Sequence, residues 1–156
     1  MNDEGGYDLE DLMPGMNACF SKTLTEQDVL LFASATGDRN PVHLDETYAR
    51  QTLFGGRIAH GMLSASVISA AIATHLPGPG SIYLSQDLQF RRPVKLGETV
   101  RATVTVKEIL ANRRRVVLET CCEVNGLVVV EGTAVVMPTN AAARRTEAVN
   151  VQDHEG

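Results

Sequence analysis

An α+β fold, with an antiparallel sheet wrapped around one long buried helix, is the architecture this sequence predicts. Two observations carry it. The stretch His60 to Leu76 holds no Asp, Glu, Lys or Arg and is rich in Ala, Ser, Gly, Met, Leu and Ile. A helix that is small or apolar all round is buried rather than mounted on a surface. After Pro77-Gly78-Pro79-Gly80 the period changes to two, as in Val100-Arg101-Ala102-Thr103-Val104-Thr105-Val106-Lys107. Such alternation belongs to an antiparallel sheet with one wet face. The 156 residues suit one domain, since a domain takes roughly 100–200. It is expected over 16–138, after an acidic leader at 1–15 and before a mobile tail at 139–156.

The elements follow in order. Met16 to Leu24 reads as a first strand after the Pro14-Gly15 turn. Thr25-Glu26-Gln27-Asp28 resembles a capping box, with Asp where Glu or Gln is usual, and opens a helix through Thr36. Pro41 disfavours helical geometry in the residue before it, so this helix stops by Asn40 and a loop is expected. Asp45 caps a second short helix, Glu46 to Thr52, which Gly55-Gly56 ends. After the long helix, strands are expected at Ser81–Arg91, Val100–Lys107, Arg115–Val124 and Leu127–Met137, a meander of four. Asn125-Gly126 between the last two is a type I′ hairpin signal. From Thr139 the chain has no period and reads as a tail.

The net charge of −5 is concentrated at one end, where residues 1–11 hold five acids and no base. Residues 12–138 hold 12 bases and 11 acids. A body so close to neutral lacks the basic face that nucleic acid requires, and no nucleic-acid partner is expected. Cys19, Cys121 and Cys122 are odd in number, and successive strand residues point to opposite faces, so the adjacent pair reads as two separate thiols. Without a CxxC or a zinc-like spacing, they read as small fillers in a reducing compartment. No basic segment followed by an apolar run marks a secretory signal. The uncharged stretch Ile58 to Gln86 is too polar to span a bilayer. A soluble, cytoplasmic protein without a membrane partner is expected.

Chemistry points to Gly37-Asp38-Arg39-Asn40-Pro41-Val42-His43. It places a carboxylate and an imidazole, both general acid/base groups, five residues apart on a proline-fixed loop. Ala59-His60-Gly61-Met62 begins the long helix. A helix start offers unpaired backbone N–H groups, and Gly61 lets a ligand approach them. Such donors can hold negative charge developing on a carbonyl oxygen.

Phe32 to Ala49, with its core GDRNPVH and the downstream AHGM, resembles the signature of the MaoC-like (R)-specific enoyl-CoA hydratases. Pro79-Gly80-Ser81-Ile82-Tyr83-Leu84 and Phe90-Arg91-Arg92-Pro93-Val94 continue the similarity, which covers Thr25 to Pro138. The resemblance implies a hotdog fold, a homodimer and an acyl-CoA thioester substrate. It implies reversible hydration of trans-2-enoyl-CoA to (R)-3-hydroxyacyl-CoA, with Asp38 and His43 as the catalytic pair on one water. Asp38 is then the base and His43 its partner in proton transfer. Gly61 matches the backbone donor to the thioester oxygen, Asn40 shapes the loop, and Ser69 stands where the family has a polar residue supporting the aspartate. No cofactor is implied, coenzyme A being part of the substrate.

Arg91 and Arg92 are candidates for the coenzyme A phosphates, set against the reading of plain solvated charge. The turn run Arg113-Arg114-Arg115 is the weaker one. His60 reads as a structural histidine at the helix entrance, and His75 suits the negative end of the helix dipole. Asp38, His43 and His60 could form a metal set, but no partners supporting one can be read, so no metal is expected. A homodimer also follows if the uncharged run Leu127-Val128-Val129-Val130 forms a sheet edge in need of cover. Two rivals remain. A hotdog thioesterase would use an acid on or beside the central helix, where His60 to Leu76 has none. A non-catalytic acyl-binding module would have no use for both Asp38 and His43.

Overall fold

In the computed structural model, which describes residues 1–142, the period-two segments form one antiparallel sheet of six strands. These are β1 (Asn17–Thr23), β2 (Ile82–Gln86), β3 (Gln89–Phe90), β4 (Thr99–Leu110), β5 (Arg115–Val124) and β6 (Leu127–Met137). Their order is β1-β4-β5-β6-β2, with β3 also paired to β6. Between β1 and β2 the chain forms α1 (Glu26–Thr36), α2 (Pro41–Leu44), α3 (Glu46–Arg50) and α4 (Gly61–Thr74).

Local chemistry sets several of these boundaries. Thr25 and Asp28 form the capping box despite the shorter acid. The Thr25 hydroxyl accepts from Asp28 N at 3.2 Å, and the Asp28 carboxylate accepts from Thr25 N at 2.9 Å. Gly37, at φ 81°, takes the left-handed turn that ends α1. Asn125 and Gly126 both have positive φ, as a type I′ hairpin requires.

The core lies between α4 and the inner face of the sheet. Val67, Ile68, Ala71 and Ile72 of α4 join Val100, Val104, Leu118 and Val136 in one buried cluster. Cys122 is buried while its neighbour Cys121 is partly exposed, and all three cysteines are free.

Four expectations change. The single strand at Ser81–Arg91 is two, because the chain kinks at Asp87 and Leu88. The Asp87 carbonyl presses against Gly132 of β6, where a Cβ would stand 1.9 Å from its oxygen. Six strands therefore replace the expected five. The run Leu127-Val128-Val129-Val130 is not an open edge throughout, since Val130 pairs with Phe90 of β3 and Val129 O accepts from Arg91 N; the outer strands are β1 on one side and β2 with β3 on the other. Helix α4 is not covered all round, for Met62, Ser66, Ser69 and Ala73 are exposed on one side.

The acidic leader is docked. Tyr7 N donates to Pro77 O at 2.7 Å, Leu9 N to Thr139 O at 2.9 Å, and the Thr139 hydroxyl to Asp8 at 2.6 Å. Leu12 is buried in the core. Of the expected tail, 139–142 are described and Asn140 is buried; residues 143–156 lie outside the described residues.

Candidate active site

Asn40 shapes the segment that carries Asp38 and His43. Its side-chain oxygen accepts from Val42 N at 3.2 Å, an N-cap. Pro41 then occupies the first helical position, where its missing N–H is no loss. His43 consequently stands on the one-turn helix α2 rather than on the expected loop. Asp38, just before the cap, accepts from Asn40 N at 3.3 Å.

The segment Arg57–His60 holds both candidates from the other side. Arg57 Nε donates to the His43 carbonyl at 2.7 Å, while its Nη1 pairs with Glu26 at 2.7 Å. His43 Nδ1 lies 2.8 Å from Ile58 O, and His60 Nε2 lies 2.9 Å from Asp38 O. A carbonyl oxygen can only accept, so both ring nitrogens are donors. Neutral His43 therefore presents Nε2 as a lone pair. Burial holds its pKa below the ordinary 6.5; the bond to Ile58 O raises it, the His60 ring lowers it, and Asp38 raises it.

A carboxylate oxygen of Asp38, a ring nitrogen of His43 and one of His60 all lie within 4.8 Å of one another. One water making two hydrogen bonds of about 2.8 Å spans up to ~5.6 Å, so it can bridge two such groups. The same trio is the set among the described residues close enough to hold a metal ion. However, His60 Nδ1, the nitrogen not bonded to Asp38, is buried without a hydrogen-bond partner among the described residues. The arrangement suits a water on two groups better than a metal on three.

Gly61 opens α4, so its N–H belongs to the helix start that no intrahelical carbonyl satisfies. A Cβ here would meet the Phe90 ring at 2.9 Å, so glycine admits that ring against the helix start. Beside it is a cavity of about 320 Å³, with Phe54, Gly61, Ser64, Phe90, Arg91 and Arg92 in its lining. Asp38 and His43 are not in this lining, which includes Ile58, Ala59 and Gly61.

Comparison with known proteins decides the family. Residues 14–126 match the family model described as the MaoC-like domain. The chain belongs to the MaoC-like family. It is 51% identical over 129 residues to an (R)-specific enoyl-CoA hydratase of Rhodospirillum rubrum, covering 83% of this chain and 90% of that one. It is 48% identical to a 3-hydroxybutyryl-CoA dehydratase of Methylorubrum extorquens, covering 82% of each. The unliganded R-hydratase PhaJ1 from Pseudomonas aeruginosa superposes with a TM-score of 0.82 at 48% identity, covering 86% of this chain and 87% of that one. The fold is the hotdog, with α4 as the sausage and the sheet as the bun.

In this MaoC-like chain the expected site residues divide. Asp38 and His43 lie within 4.8 Å of each other and are each bonded to the Arg57–His60 segment, Asn40 caps the helix that carries His43, and Gly61 follows that segment in the chain. Ser69 does not join them: it is exposed eight residues after Gly61, about 12 Å along the helix at 1.5 Å per residue. Arg91 and Arg92 both line the cavity. Arg91 is already paired with Glu131 at 2.7 Å, whereas Arg92 donates to the Val128 carbonyl at 2.7 Å and has no carboxylate partner among the described residues. The sequence reading missed Arg57, Phe54 and Phe90. The AHGM motif pointed towards the segment before Gly61, but a backbone-gripping arginine leaves no spacing signature.

Proposed function

We infer that this MaoC-like protein is a hydro-lyase that reversibly adds water across the double bond of a trans-2-enoyl-CoA, giving the (R)-3-hydroxyacyl-CoA. The approach of the Asp38 carboxylate and the His43 ring to within 4.8 Å carries the reading. The names of its relatives supply the substrate class and the handedness.

In the hydration direction, Asp38 takes one proton from the bridging water as the oxygen attacks C3. The π pair of the C2–C3 bond moves toward the thioester carbonyl, whose oxygen gains charge and is held by the Gly61 N–H. The pair then returns to C2, which takes the proton back from the Asp38 carboxyl. Asp38 is left ionised, and the water's other hydrogen stays on the new hydroxyl. His43, with Nδ1–H committed to Ile58 O, holds that hydrogen through Nε2 and so orients the attack. Bonds and protons balance without a redox partner or a metal.

General acid/base work supplies about 10²–10⁴-fold and one oxyanion donor about 10²–10³-fold. Orientation of the bound water provides much of the remainder. Arg92, without a carboxylate partner among the described residues, is the better contact for a coenzyme A phosphate; Arg91 is already paired with Glu131.

The reading includes a homodimer. Edge strand β2 exposes Ile82, Tyr83 and Leu84, and α4 turns Met62, Ser66 and Ser69 outward. Such uncharged surfaces suit a second copy. No helix among the described residues is long and apolar enough to cross a membrane. Three free thiols fit the cytoplasm as its place of work.

The test is purified protein with crotonyl-, hexenoyl-, decenoyl- and branched enoyl-CoAs, following enoyl absorbance and free thiol together. Loss of absorbance without thiol release is expected. Thiol release instead would make it a thioesterase, and no reaction at all would leave an acyl-binding module.

A further inference from the structure

His60 does more than close the entrance to α4. We propose that it is the positioning residue that holds Asp38 in register with His43, through the hydrogen bond from its Nε2, while the face of the same imidazole makes a second, packing contact with His43. The proposal rests on the hydratase reading and names the residue on which the geometry of its catalytic pair depends.

The first contact is the hydrogen bond from Nε2 to the Asp38 carbonyl at 2.9 Å. Asp38 follows Gly37, whose φ is 81°, and precedes the Asn40 cap, so its side chain is aimed by a short exposed turn. The bond pins that turn to the start of α4. The second contact is the ring face. His60 lies 4.0 Å from the His43 ring at an interplanar angle of 32°, and 4.8 Å from the Phe32 ring at 52°. It is thus a buried plate between α1 and α2, with one edge on Asp38 and one face on His43.

A residue chosen for packing alone would be apolar here. Instead the side chain is only 1% exposed and carries Nδ1 with no hydrogen-bond partner among the described residues. A buried acceptor without a donor is unfavourable. The donor on the opposite side of the ring is what an apolar residue could not supply. Near His43 stand the Asp38 carboxylate and the Arg57 guanidinium on its carbonyl, itself paired with Glu26.

Two variants separate the contacts. His60→Phe keeps a buried ring and loses the donor. His60→Gln keeps a terminal N–H₂ for the Asp38 carbonyl and loses the ring. With enoyl-CoA as substrate, His60→Phe is expected to lower kcat about 10- to 100-fold, as for a misplaced reacting group, with KM nearly unchanged. His60→Gln is expected to recover most of that loss, although it packs less well and melts lower. A packing role predicts the reverse order, an active Phe variant and a weak Gln variant, and that result overturns the proposal. Should His60→Phe fail to fold, a His60→Gln variant as inactive as Asp38→Asn also overturns it. If wild type hydrates, Asp38→Asn does not and His60→Phe is normal, only the role of His60 falls. A wild type without hydratase activity overturns both.

Discussion

Asp38 and His43 are held by backbone, and that is why their chemistry can be removed without removing the fold. Asp38 is exposed, and His43 is anchored through Nδ1 to Ile58 O. Asp38→Asn keeps the shape but cannot take the water's proton; His43→Gln cannot present the same lone pair. Each is expected to lower kcat by at least about 10²-fold. The double variant should be barely worse than either, as for groups acting on one water. Near-normal rates in either single variant, or loss only through unfolding, would contradict the assignment. His43 also has a defined pH signature. Burial disfavours its charged form, so NMR titration should place it below 6.5. The fold stability tied to neutral His43 is complete above the unfolded value and lost as pH falls through the lowered one. A measured value at or above 6.5 would contradict this. At this scale the sequence was readable where identity and spacing carry the signal, as in GDRNPVH. Arg57, Ile58 O and the Nε2 bond of His60 were not, since contacts to backbone carbonyls follow from the fold and impose no pattern along the chain.

Elements were legible where their boundaries are local. The Thr25–Asp28 box, the Asn125-Gly126 turn and the alternation of β4 all formed as read. Asn40-Pro41 reads as a stop signal for α1, but a cap followed by proline is equally a start signal, and it opens α2. The break between β2 and β3 has no local sign in SIYLSQDLQFR. It arises across the sheet, where Asp87 N donates to Thr133 O at 3.0 Å and the Asp87 carbonyl lies over Gly132. Gly132→Ala must therefore push backbone aside. The expected cost is about 1–3 kcal/mol, at about 2–4 °C of Tm per kcal/mol for a chain of this size. A Gly132→Ala variant melting with wild type would show that the kink does not depend on this contact. Composition also misled about α4. Serine and alanine suit a buried face and an uncharged outer face equally well, so Met62, Ser66 and Ser69 could not be sorted from Ser64 and Val67.

At the scale of the molecule, the α+β architecture was legible because one uncharged helix and one alternating sheet can bury each other in few ways. The docking of the leader was not, since it joins the Pro77 turn and Thr139 largely through backbone bonds that acidic side chains do not announce. The sheet order was hidden as well, and with it which strands are edges. With β2 at one edge and β1 at the other, a homodimer through β2 and the outer side of α4 is expected. Sedimentation at micromolar concentration should give twice the chain mass, and a stable monomer would contradict it. The central claim is the reaction itself, and the handedness of its product tests that most directly. Crotonyl-CoA hydrated by the protein should feed an (R)-specific 3-hydroxyacyl-CoA dehydrogenase and leave an (S)-specific one idle. Turnover by the (S)-specific enzyme, or no hydration for either to consume, would contradict the account.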